Sequence, residues 1–239
     1  MTSENLEIIK NIAIQWLHQD VKGDISSGIY AMMGMGAVIH PVFERNPFIQ
    51  TKDGKMQAYD ILNDRKALKK AIAIKKSQIR DCNTVKKLMF VIRKAYRLKF
   101  LKTIKEYLDK KEFSELLGEI WIDVENPNED DIGIETFLEW FSEADKESLM
   151  SDEEWNTYNS LPDEVRVYRG VGEQGNPKGL SWTLNEEKAQ WFADRFQMLG
   201  GEGYVLTAMA RKSDMLAYFS RREEDEVIID GRKLDAERI

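Results

Sequence analysis

Cysteine and histidine are nearly missing from this chain: one Cys and two His in 239 residues. A lone thiol, Cys82, excludes an internal disulfide. Together with His18 and His40 it cannot complete a Cys/His zinc site, which leaves only a site built from carboxylates open. Proline is sparse, at five residues, and fifteen glycines are too few for a collagen-like or low-complexity chain. Long hydrophobic runs are also wanting. The longest apolar patch, around residues 28–39, is short and broken by Gly34 and Gly36, so no membrane span and no membrane partner are expected. The opening MTSENLEIIK has no basic segment leading into an apolar one. The expected compartment is therefore the cytoplasm, or a host cell reached without a signal peptide, as for a bacterial or phage effector. There is no G-x-G-x-x-G after a strand, no Walker loop and no Ser/His/Asp set.

What is present is a globular composition, 42% hydrophobic and 32% charged, with enough length for one large or two modest domains. The net charge of −7 conceals a partition: residues 65–111 hold 17 Lys+Arg against 3 Asp+Glu, whereas residues 112–239 hold 13 against 31. Within 86–111, Leu88, Val91, Ile92, Ala95, Leu98, Leu101, Ile104 and Leu108 recur at three and four, which predicts one amphipathic helix with a basic outer face. That face is solvated cover, a surface that meets the acidic remainder of the same chain, or one that follows a phosphate backbone.

Residues 3–20 read as a helix capped by Ser3, and residues 60–117 as two helices broken near 81–84. Between them Gly23, Gly28, Gly34, Gly36, Pro41 and Pro47 mark loops or short strands, and 125–131, ENPNEDD, reads as an acidic connection. A helix is predicted over 134–141. Another starts at Ser151, where S-D-E-E is a capping-box pattern, and stops before Pro162. Strands follow at 165–169, 179–183, 203–210, 215–219 and 226–230, with a helix over 185–197 capped by Asn185. The fold class is thus α+β: the first two thirds are helical, with the basic helices in a region over 1–118, and the strands fall after Pro162 within a second region over 119–239.

Three motifs fall in order within the strand-rich part: Val167-Tyr168-Arg169-Gly170, Leu180-Ser181-Trp182-Thr183, and Glu224-Asp225-Glu226 running into Val227-Ile228-Ile229. Singly each is ordinary strand and turn chemistry. In this order and spacing they resemble the arginine-serine-glutamate class of mono-ADP-ribosyltransferases, over residues 160–232. The His-Tyr signature of the other ADP-ribosyltransferase class does not occur. The resemblance implies a core of strands forming two packed sheets around an NAD cleft. It implies NAD as the substrate, no metal, and a protein acceptor, with Glu at position 224 pointing to arginine.

By the same resemblance, Glu226 and Glu224 are the catalytic residues, and Arg169, Gly170, Ser181 and Thr183 bind the cofactor. Glu226 would face the oxocarbenium-like centre formed as nicotinamide leaves and hold the ribose 2′-hydroxyl. Glu224, two residues earlier on an extended segment, would point to the same face and deprotonate the acceptor. Arg169 would meet the phosphates with a permanently charged fork, and Ser181 and Thr183 would support the strand that presents Glu226. Residues 218–223 match the family's acceptor-recognition loop in position; Phe219 is expected to pack inward, Glu223 and Asp225 to be solvated. Residues 197–203 fit a glycine-rich flap. Only nine residues follow Asp230, so a closing strand is expected to be missing or supplied by earlier sequence. The alternatives are an NAD glycohydrolase, with water as acceptor, and a non-catalytic protein that binds nucleic acid through 86–111.

Overall fold

The computed structural model describes residues 2–24, 37–45, 48–51, 53–124, 132–173, 175–198 and 201–239. The glycine-punctuated stretch 28–36, Pro47, the acidic connection 125–131 and part of the 197–203 segment lie outside these residues. The chain forms two compact units, Met1–Asp109 and Lys110–Ile239. The division falls nine residues before the expected boundary at 118, because residues 110–123 form one uninterrupted helix that belongs wholly to the second unit.

In the first unit, α1 (Ser3–Leu17) is capped by Thr2 rather than Ser3: Thr2 is extended and its hydroxyl accepts from Asn5 N at 3.1 Å. Two short antiparallel pairs follow, β1 (Lys22–Asp24) with β2 (Ala37–Ile39) and β3 (Phe48–Gln50) with β4 (Met56–Ala58). Helix α2 (Arg65–Asp81) is capped by Asp64 and ends at the expected break. The single helix expected over 86–111 is instead α3 (Val85–Val91), α4 (Arg97–Ile104) and intervening 3₁₀ turns. The cause is tertiary. At Ile92 and Arg93 the backbone becomes extended, and Arg93 N donates to Pro41 O at 2.8 Å while its guanidinium reaches Val38 O and His40 O. Arg97 Nε then takes up the exposed carbonyls of Met89 and Ile92 at the end of α3. The apolar spacing still finds the core, since Leu88, Ile92, Leu98, Leu101 and Ile104 are buried and Trp16 packs edge-on against Phe100.

The second unit begins with α5 (Lys110–Asp123), α6 (Ile134–Glu143), the single turn α7 (Lys146–Leu149) and α8 (Asp152–Ser160). The capping box at Ser151 and Glu154 is formed reciprocally, as its sequence predicts. Six antiparallel strands follow in the spatial order β10-β7-β5-β6-β9-β8. They are β5 (Glu164–Gly172), β6 (Ser181–Thr183), β7 (Gly203–Arg211), β8 (Met215–Phe219), β9 (Glu226–Ile229) and β10 (Glu237–Arg238), with α9 (Glu186–Met198) between β6 and β7. Asn185 caps α9, accepting from Lys188 N. Two expectations change here. The two sheets implied by the resemblance are joined into one, because Tyr168 pairs with Thr183; that single pair links β10-β7-β5 to β6-β9-β8. A short strand does follow Asp230, formed by the last residues, with Glu237 opposite Thr207 and Arg238 opposite Leu206.

Helix α9 lies directly on this sheet. A Cβ at Gly170 would sit 2.2 Å from Ala189 O, and one at Gly203 would sit 2.0 Å from Ala193 O, so both strands need bare backbone beneath the helix. Ala189, Ala193, Val205 and Tyr168 fill the seam. Strands β8 and β9 are buried almost throughout rather than alternating, as expected of strands covered on both faces. The class is α+β, with helices and an antiparallel sheet segregated along the chain. Among the described residues no helix is long and apolar enough to cross a membrane.

Candidate active site

Glu226 opens β9, opposite Thr183 on β6 and Phe219 on β8. Ser181 lies two residues along β6, paired with Ile228, so it shares the face of Glu226 on the diagonal. Its side chain opposes the effect of burial on the Glu226 carboxylate. On the other side Trp121 Nε1 donates to Glu226 Oε1 at 3.2 Å. Trp121 is 5% exposed and stands edge-on to Phe137 and Phe141, so the indole is fixed by packing before it meets the carboxylate. Burial raises the pKa of Glu226 above the usual carboxylate value. Ser181 and the bond from Trp121 oppose that rise, the charge of Glu224 adds to it, and the charge of Arg222 reduces it.

Glu224 reaches the site by a different route from the expected extended segment. Glu223 and Asp225 have φ of 56° and 45°, in the left-handed region that non-glycine residues seldom occupy. The strand therefore starts at Glu226, and Glu224 sits on a tight loop held from several sides. Thr183 Oγ1 donates to Glu224 O at 2.6 Å and accepts from Asn185 N at 3.0 Å. Arg222 Nε lies 3.4 Å from Glu224 Oε1, and its Nη1 donates to Ile122 O at 2.6 Å, at the end of α5. Tyr218 donates to Asp225 Oδ1 at 2.6 Å, so Asp225 is a half-buried acceptor and not the solvated acid expected, whereas Glu223 is exposed. Tyr218 and Phe219 are both buried.

Glu154 secures the start of this loop. It is fully buried and accepts from Ser220 N at 2.9 Å and from Arg221 Nε at 3.2 Å while still closing its capping box. Burial raises its pKa, but the bonds from Ser151, Arg221 and Ser220 outweigh that effect and hold it below the usual value.

Arg169 joins the constellation through the backbone. Its Nη1 donates to Ser181 O, and Nε and Nη2 both donate to Asn176 O, at 3.3 and 3.1 Å. The guanidinium thus fastens the β5–β6 connection to the edge of β6. Arg169 is thus tied to the strand on which Ser181 faces Glu226, with Glu224 near enough to perturb Glu226. Gly170 is elsewhere: it faces α9, where its missing side chain admits the helix. Thr183 is 5% exposed with its hydroxyl engaged in both directions, which makes it a support for the Glu224 loop.

Sequence reasoning did not single out Trp121 or the anchoring by Arg222 and Glu154. Glu154 was visible only as a helix cap, and a tryptophan near the end of a helix carries no local signal of its partner. A cleft of about 550 Å³ lies in the same unit, lined by Glu115, Glu119, Asp145, Glu147, Asp152 and Arg221 among others; none of the six predicted site residues lines it. Among the described residues no group of three or more His, Cys, Asp or Glu is placed to hold a metal ion. The chain matches no protein-family model, no curated protein and no solved structure.

Proposed function

We propose that this protein is a mono-ADP-ribosyltransferase that transfers ADP-ribose from NAD to an arginine side chain of a protein acceptor. The observation that carries the reading is that Arg169 on β5, Ser181 on β6 and Glu226 on β9 come together on adjacent strands, Arg169 bonding the Ser181 carbonyl and Ser181 sharing the face of Glu226, with a second carboxylate near the last. These residue types answer the chemistry in turn. As the bond between ribose C1′ and the nicotinamide nitrogen breaks, its electron pair leaves with the pyridine and positive charge develops on the sugar. Glu226, half-buried and held by the Trp121 donor, is an oriented negative charge for that centre and needs little reorganisation. Ser181 and Trp121 keep its carboxylate aimed. Arg169 contributes permanent positive charge for the pyrophosphate and fixes the strand edge that carries Ser181.

A protonated guanidinium has no free pair with which to attack C1′. Glu224 accepts its proton, the freed nitrogen forms the new bond to C1′, and Arg222 sets the direction of Glu224. The loop carrying Glu224 is strained at Glu223 and Asp225 and fastened by Thr183, Arg222 and Glu154. Such cost in backbone geometry fits a side chain whose position matters to a reaction.

The test is to incubate the protein with NAD and a cell lysate and to follow free nicotinamide together with the mass of modified proteins. Glu226→Gln is expected to abolish both readouts. Glu224→Gln is expected to keep nicotinamide release, with water as acceptor, and to lose transfer. Undiminished nicotinamide release from the Glu226 variant overturns the reading.

A further inference from the structure

Helix α2 carries seven cations in 17 residues and no acid before its last position. Ala71 and Ile79 are buried and Leu68, Ile72 and Gln78 half-buried, which fixes its inward side. Lys66, Lys69, Lys70, Ala73, Lys76 and Arg80 recur at three and four on the opposite side, and all are exposed. Arg80 is paired with Glu7 at 3.0 Å. Among the described residues Lys66, Lys69, Lys70 and Lys76 form no ion pair.

This arrangement works against the helix that bears it. Like charges three and four residues apart repel. The first turn holds Arg65 and Lys66 and no acid, where the helix dipole disfavours cations. The same inversion recurs in α3, with Lys86 and Lys87 in the first turn, and in α4, with Arg97 and Lys99, again with no acid. A face that serves only as solvated cover interleaves both signs. One that gathers a single sign at a cost in stability is suited to an external anion.

The geometry narrows the anion. At 1.5 Å per residue, Lys66 to Lys76 form a stripe about 15 Å long on one side of the helix, and a nucleic-acid duplex presents a negative charge every ~1.7 Å of its axis. Ammonium groups on flexible stems suit phosphate oxygens and carry no base readout. The row includes no aromatic side chain on which an unpaired base could stack, which disfavours single strands. We propose that Lys66, Lys69, Lys70 and Lys76 form a docking surface for the phosphate backbone of a nucleic-acid duplex, bound without regard to sequence. The surface is independent of the chemistry at Glu226.

The experiment measures binding of the full-length protein to a short fluorescent duplex by anisotropy over a range of salt. Four neutralised phosphates give a slope of log K against log salt of roughly −3.6, so affinity falls about 150-fold between 50 and 200 mM. Two duplexes of unrelated sequence are expected to bind equally. The combined variant Lys66→Gln, Lys69→Gln, Lys70→Gln and Lys76→Gln changes only exposed side chains; it is expected to keep its circular dichroism and to lose both the binding and the slope. An unchanged slope in that variant, absence of salt-dependent duplex binding by the parent, or capture on phosphatidylserine vesicles with none on the duplex overturns the proposal.

Discussion

Glu226 is held between opposing demands. Its surroundings disfavour the charge that the proposed reaction requires, and Ser181 and Trp121 restore part of what burial removes. Trp121→Phe keeps an aromatic ring against Phe137 and Phe141 and deletes only the donor. A donor to the charged form lowers a carboxyl pKa, so its removal raises the Glu226 pKa further, and the acid limb of nicotinamide release should move to higher pH. Charge-assisted bonds contribute about 1.5–3 kcal/mol, so a loss of at least roughly tenfold in kcat at neutral pH, with KM little changed, is expected from the pH–rate profile. Stability should respond in the opposite sense. A carboxyl with a raised folded-state pKa keeps a proton that the unfolded chain has released, so stability falls as pH rises from the unfolded value to the folded one and stays low beyond it. Glu226→Gln removes that penalty while retaining an acceptor for Trp121. Thermal melts above neutrality should show a higher Tm for the variant, a gain that vanishes in acid once the parent is itself protonated.

Which elements were legible depended on where their determinants lie. The helix from Asp152, the strand carrying Arg169, the Ser181 strand and the helix after Asn185 are set by caps, alternation and flanking turns, all within a few residues of themselves. The helix expected over 86–111 failed because its breaking partners, the carbonyls of Val38, His40 and Pro41, lie some fifty residues away in sequence. Glu224 lies near enough to perturb Glu226, but the extended segment expected between them is absent: two left-handed residues, not a strand, set the position of Glu224. Gly170 is instructive in the same way. It sits inside the motif that carries the resemblance, yet its role is to let α9 approach within 2.2 Å of where a Cβ would stand. The obstructing atoms are helix backbone, so Gly170→Ala must displace the helix. A loss of about 3 kcal/mol in urea unfolding is expected, together with impaired nicotinamide release as the seam over the Arg169 strand opens.

At the scale of the whole chain, every residue assigned to the candidate site lies in Lys110–Ile239. The position of that boundary can be tested by truncation. Helix α5 starts at Lys110 and supplies Trp121 and the Ile122 carbonyl to the site from its far end. Its first turns hold it in place: Phe113, Leu116 and Leu117 are buried, Ser114 Oγ accepts from Asp145 N at 2.8 Å, and a Cβ at Gly118 would lie 2.1 Å from Leu149 O in α7. A fragment of residues 110–239 keeps all of these contacts. A fragment cut at the sequence-derived boundary, residues 119–239, loses three large buried side chains at about 2–5 kcal/mol each, comparable to the 5–15 kcal/mol by which a whole domain is stable. The longer fragment should therefore melt cooperatively and release nicotinamide at a rate near that of the full chain, and the shorter should show no cooperative transition. Charge adds a second signature. Residues 110–239 hold 15 Lys+Arg against 31 Asp+Glu, so self-repulsion should make the longer fragment more stable as salt is raised, while the lysine row on α2, absent from it, should take duplex binding with it. A fragment that keeps nicotinamide release and loses the duplex would assign the two activities to separate units.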